Sequence, residues 1–190
     1  MDHEAFSALL RRRSMTRSFA ERDLDPELLR RLVEGSMAAP SAGNSRGVQA
    51  VVLTGQARDR YWLAATDEAW RATSRRFAGM SRAGAVVLLL CNPDVYTARY
   101  AEEDKASSGL GAEEQGHGRE GGVAEPVGHG PSFLGTFRNE DAVLEAVGRH
   151  RPARLFGTVL LGHHDGQDQP SASLSRAVPS KAERVTWLEV

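Results

Sequence analysis

Residues 11–19 read RRRSMTRSF, which puts Arg11, Arg12, Arg13 and Arg17 within seven positions. Guanidinium groups grip phosphate and carboxylate oxygens through parallel N–H donors, so this cluster could hold an anion. The competing reading is a solvated helix end, where cations complement the helix dipole. A second polar stretch, PSAGNS, offers Ser41, Asn44 and Ser45 as hydrogen-bonding groups. Gly43 within it permits backbone conformations that bring N–H groups close to a ligand. Each stretch follows an amphipathic pattern, and together they would suit a ligand with a phosphate and a planar polar edge.

Other constellations carry less. No pair of the six histidines has i, i+4 placement on a helix with a carboxylate, so no metal site is expected. His117, His129, His163 and His164 read as solvated. Glu102, Glu103 and Asp104 with Lys105 read as an acidic turn. The glycines at 109, 111, 116 and 118 have no strand before them and no helix after them, so they are not a dinucleotide fingerprint. Ser14 and Ser45 lack a His/Asp partner at recognisable spacing, which argues against a hydrolase triad. Tyr61, Trp62 and Trp70 read as packing.

The elements that must position these groups are legible. Phe6, Leu9 and Leu10 at i, i+3, i+4 predict a first helix ending near Arg13. Asp25-Pro26 predicts a helix start, with Leu28, Leu29, Leu32, Val33 and Met37 on one face and a stop before Pro40. A strand is expected at 48–53. Residues from about 57 to 77 read as helical, with Tyr61, Trp62, Ala65, Ala69 and Trp70 as the apolar stripe. AVVLLLC at 85–91 reads as a buried strand ended by Asn92-Pro93. Asn139 is expected to cap a short helix that Gly148 closes, LFGTVLL at 155–161 to be a strand, and ERVTWLEV an edge strand. The strands are too scattered for a regular βαβ alternation, so the fold class is α+β, in a single domain over residues 1–190.

Composition sets the outer bounds. Lys and Arg number 24 against 25 Asp and Glu, so no electrostatic field recommends nucleic acid as a partner. One cysteine, Cys91, cannot form an internal disulfide, which fits a reducing cytoplasm. The longest apolar run is too short to span a bilayer, so no membrane partner is expected. Residues 111–131 break the pattern: seven of the 21 are glycine, and no apolar period offsets the entropy of ordering them.

The order and spacing of R-x-x-x-R-x-F, DPELLRRLVE, APSAGNS, YAEEDKA with SGLG, LGTFR and LFGTVLLGH resemble the FMN-dependent nitroreductase family, in its actinobacterial-type branch. The resemblance implies a mixed sheet flanked by helices, an interwoven homodimer, and FMN at the dimer interface. It implies that Arg13 holds the FMN phosphate and that Arg17 lies by the flavin pyrimidine edge. Met15 falls where the family often has a small polar flavin contact. Ser41 and Asn44 would line the flavin and ribitol, and Gly135 would offer a backbone N–H beside the reactive edge. Lys181, or Arg176, would give a C-terminal basic contact. Ser14, Ala42 and Gly43 complete the cofactor-binding set.

No side chain is expected to be catalytic in itself, because flavin N5 carries the chemistry. NAD(P)H is the implied donor, and an electron-poor nitroaromatic or quinone the implied small-molecule acceptor. Three departures from the family pattern qualify the resemblance. Arg46-Gly47-Val48 replaces its usual Gln, Pro or Gly, and Trp. The C-terminus TWLEV lacks its basic character. Residues 111–131 stand where it has a long apolar helix, and their composition matches a frame-altered copy of that helix. The rival reading is therefore a non-catalytic or incomplete homologue that binds FMN weakly or not at all.

Overall fold

A computed structural model describes residues 2–12, 15–102, 132–134 and 139–168. Its centre is the strand AVVLLLC, and the reason is in the alternation of its side chains. Val86, Leu88 and Leu90 face one apolar cluster, and Ala85, Val87 and Leu89 face another. A strand covered on both faces reads as a continuous apolar run rather than as an alternating one. Each fully buried Val or Leu here contributes about 1.5–3 kcal/mol.

Among the described residues, four strands form the sheet, in the order β1-β2-β4-β3. They are β1 (Val48–Leu53), β2 (Ala85–Cys91), β3 (Ser132–Leu134) and β4 (Arg154–Leu161). All pairings among them are antiparallel. The α+β class holds, and the parallel pairing that a mixed sheet requires is not found among the described residues. The β2–β4 register shifts between Leu89 and Leu90. This bulge moves β4 from odd to even numbering on one face, so Leu155 and Leu160 both reach the first cluster.

Helices cover both faces. On the first, α3 (Gly55–Ala65) and α7 (Glu140–Ala146) pack together, burying Tyr61, Trp62, Val143 and Leu144. The Tyr61 hydroxyl donates to Thr158 Oγ1 at 3.2 Å, and burial pushes its pKa up. On the second, α2 (Pro26–Ser36) buries Leu29 against Val87, Leu89 and Val159. Asp25 caps α2, accepting from the N–H groups of Glu27 and Leu28 at 2.7 and 3.1 Å. The helix ends before Pro40, but Met37 lies past its end and is exposed.

The helical stretch expected over 57–77 is three helices: α3, α4 (Glu68–Thr73) and α5 (Arg75–Met80). Short polar residues break it. Asp67 accepts from Trp70 N–H at 2.6 Å and Ser74 from Phe77 N–H at 3.1 Å, each starting a new helix. The breaks rotate Ala69 out to solvent and correct the expected stripe. Trp70 still packs, through Phe77, onto Trp62, with edge-to-face ring contacts at 5.5 and 5.6 Å.

Two further helices bear on the site. The first, α1 (His3–Arg12), leads into the arginine segment, and Phe6 on it is exposed. The other, α6 (Pro93–Tyr100), was not foreseen; it follows β2 directly, with Asn92, expected only to end that strand, as its cap. Asn139 begins α7, but its side chain donates to Ala64 O instead of capping. Strand β3 was not foreseen, and three residues are too few for a period to show. The Gly-rich residues 111–131 and the edge strand expected at ERVTWLEV lie outside the described residues.

Candidate functional site

The two stretches singled out in the sequence are built by different means. The first runs from Met15 to Ala20. Phe19 is fully buried and makes an isolated bridge with His164. Its N–H donates to Gly79 O at 3.2 Å, and Ala20 N–H donates to His163 O at 2.7 Å. One side of this segment is therefore held by the chain just before β2, and the other by the chain just after β4.

Side chains reinforce that hold. Arg82 donates from Nε to Phe19 O at 2.7 Å and from Nη2 to Asp165 Oδ2 at 2.7 Å. Ser18 Oγ donates to the same carboxylate oxygen at 2.7 Å. Gln167 N–H donates to Asp165 Oδ1 at 2.8 Å. The Gln167 N–H first, then the Ser18 hydroxyl and the Arg82 charge, hold the Asp165 carboxyl below the usual carboxylate range. Arg17 N–H donates to Asp168 Oδ1 at 2.7 Å, while its guanidinium lies 2.9 Å from Met15 Sδ. Sulfur is a weak acceptor, so this guanidinium keeps donors for an anion.

The second stretch is shaped by glycine. Ala42–Asn44 forms one 3-10 turn in which Gly43 has φ +55°. Asn44 and Arg46 also adopt left-handed backbone, at φ +55° and +53°. Asn is among the residues that tolerate this region, whereas Arg is uncommon there. Arg46 N–H donates to Ser41 Oγ at 2.8 Å, and its Nε to Asn44 Oδ1 at 3.2 Å. Arg99, on α6, donates to Gly43 O at 2.9 Å. A Cβ at Gly47 would fall 2.3 Å from the buried Tyr96 ring, so only glycine lets the loop lie this close to α6.

The structure does not bring the two stretches together within one chain. The loop 41–47 joins the end of the sheet where Val48 pairs with Cys91, and Asn92 N–H donates to Gly47 O. The Arg17 segment lies at the opposite end, where Ala85 pairs with Leu161 and where Gly84 and Gly162 pack against Leu24 and Phe19. Seven residues of β2 separate the two ends, about 20 Å at the usual rise per residue.

Of the residues singled out, Met15, Arg17, Ser41, Ala42, Gly43 and Asn44 are described. Arg13, Ser14, Gly135, Arg176 and Lys181 lie outside the described residues. A groove of about 770 Å³ beside α2, lined by Leu24, Leu29, Arg30, Val52 and Arg58 among others, contains none of the singled-out residues. Sequence reasoning missed Arg82, Asp165, Asp168 and Arg99. Their partners lie 56 to 151 positions away, so no local pattern could reveal them.

The nitroreductase family model matches residues 9–113, more than half of the chain. No curated protein matches. Solved structures match over nearly the full length at low identity. A nitroreductase family protein from Streptococcus pneumoniae is 19% identical, with TM-score 0.63, over 97% of this chain and 100% of the other. A nitroreductase from Exiguobacterium sibiricum, in complex with FMN, is 12% identical with TM-score 0.71, over 96% of this chain and 97% of the other. An NAD(P)H:FMN oxidoreductase from Staphylococcus epidermidis is 12% identical with TM-score 0.69, over 97% and 95%. At these identities the solved structures establish the shared fold. With the family model matching over half of its length, the chain belongs to the nitroreductase family, a family of oxidoreductases.

Proposed function

We propose that this chain is an FMN-dependent oxidoreductase that works as a homodimer, with each flavin site assembled from the Arg17 segment of one copy and the Ser41–Asn44 loop of the other. The observation that carries this reading is the separation of the two stretches to opposite ends of the sheet. Each is anchored and presents donors, yet among the described residues neither alone surrounds a ligand. A second copy that sets its loop end against the first copy's arginine end completes two sites at once, as a two-fold interface does.

The donor set fits FMN in kind. Arg17, with Arg13 beside it in sequence, suits a phosphate or an electron-rich carbonyl edge. The Asn44 amide and Ser41 hydroxyl suit ribityl hydroxyls and ring heteroatoms. The left-handed turn at Gly43 lets main chain approach a flat ligand closely. FMN, when bound, supplies the two-electron transfer from NAD(P)H to an electron-poor acceptor such as a nitroaromatic or quinone. The protein's part is orientation and charge. Arg17 beside the pyrimidine edge would favour the reduced flavin, and replacing it by Ala should make reduction harder. Residues 1–190 would serve as one domain in this role.

Two measurements test the reading. The purified protein should show flavin absorbance, or gain it with added FMN, and should bleach anaerobically with NADPH. A protein that takes up no FMN overturns the assignment. The shared site is tested by mixing. Arg17→Ala and Asn44→Ala proteins should each bind FMN poorly, while co-refolded mixtures should regain a fraction of sites. Mixtures that bind no better than the parents would show that both groups do not serve one shared site.

A further inference from the structure

Taking Arg17 as the flavin contact proposed above, we infer that Ser18, Arg82 and Asp165 are positioning residues that fix the main chain carrying Arg17, and so set FMN affinity from behind the site. Phe19 supplies the anchor. Its ring is fully buried, and a Cβ on Gly162 would lie 2.8 Å from it. An anchor at one residue leaves the chain before it free to swing. In an extended segment, a half-turn at one residue sends the next side chain to the opposite face.

The polar groups remove that freedom. Asp165 takes the Ser18 hydroxyl on its carboxylate and donates its own N–H to Ser18 O at 3.3 Å, so residue 18 is held at side chain and main chain together. Arg82 spans from Phe19 O to Asp165, locking residue 19 to the same carboxylate. Gly79 closes the other side, since a Cβ there would lie 2.5 Å from Arg17 O. Asp168 then fixes the Arg17 N–H.

Stability alone gives little reason for the pair. The Arg82 side chain is 39% exposed and that of Asp165 12%. An ion pair with a partly exposed partner adds little net stability, although removing one member leaves the other without its counter-charge. Removing the carboxylate should weaken ligand binding as well as folding, so affinity and flavin potential are read beside Tm.

The experiment titrates FMN into wild-type, Asp165→Ala, Asp165→Asn and Ser18→Ala proteins by flavin fluorescence. It pairs each titration with the Tm of the FMN-free protein and the midpoint potential of the flavin at saturating FMN. Asp165→Ala should bind FMN about tenfold more weakly, the scale found when groups orienting a metal-binding side chain are lost. Its flavin potential should move negative as the Arg17 charge withdraws. Asp165→Asn, which keeps an acceptor for Ser18, should recover part of both. If Asp165→Ala fails to fold, Ser18→Ala decides, with a smaller shift in the same direction. Unchanged affinity and potential in the variants, whatever their Tm, overturns the positioning role and leaves the flavin assignment standing. Wild-type protein that binds no FMN overturns both.

Discussion

The Arg17 segment and the Ser41–Gly47 loop solve one problem in opposite ways. The first is extended chain held by groups from two distant elements, including a charged pair that reaches its main-chain carbonyls. The second is nearly self-contained. Its bonds run between Ser41 and Arg46, Ala42 and Ser45, and Asn44 and Arg46, and the start and body of α6 add support through the Asn92 N–H, Tyr96 and Arg99. Extended backbone leaves its N–H and C=O groups for others to satisfy, whereas a tight turn satisfies much of its own. The segment's geometry therefore depends on the whole fold, while the loop's geometry depends on its own residues and on the glycines at 43 and 47.

Substitutions at the glycines can break this comparison. The largest effect should come from Gly79→Ala, whose Cβ meets main chain at Arg17 O at 2.5 Å and cannot be relieved by a side-chain rotation. Overpacking of this kind costs about 1–3 kcal/mol, and denaturant unfolding should report it together with weaker FMN binding. A Gly79→Ala protein as stable as wild type would mean that the segment is not rigidly seated. Gly43→Ala should cost less, about 1 kcal/mol, because the strain is that of one left-handed residue. Its nearest contact, Arg99 Cγ at 3.2 Å, belongs to a side chain that can shift. Loss of FMN affinity without loss of Asn44 or Ser41 would show that the turn itself shapes the site.

The smallest effect is on pH dependence, and it should appear at the arginine end. The Asp165 carboxyl lies below its ordinary 3.8 in the folded chain, so its contribution is present above that value. It is lost as pH falls further, through the lower folded value, because the folded state must then take up a proton that it holds less readily than the unfolded chain does. Thermal unfolding from pH 6 down to 3 should show a shallower fall for Asp165→Asn than for wild type. Parallel curves would remove Asp165 from the acid response.

Much of this was readable from residue order. Asp25-Pro26 marked a cap, AVVLLLC a buried strand, and PSAGNS a polar loop, because each signal lies within a few residues of its effect. The helix breaks at Asp67 and Ser74 were readable in principle, since both are capping residues, but the apolar stripe across them was the stronger pattern. The motif order also pointed to the family that the chain belongs to.

What sequence alone determined, then, is the chemistry on offer: guanidinium groups near residue 17, amide and hydroxyl groups near residue 44, and a glycine to turn between them. Tertiary structure decided where those groups stand. Antiparallel pairing of β1 with β2 and of β2 with β4 carries the two stretches to opposite ends of one sheet. It also brings Arg82 and Asp165 together across 83 positions to hold one of them. Local patterns carry propensity over a turn or two of chain, and contacts of that range exist only once the sheet has set its register.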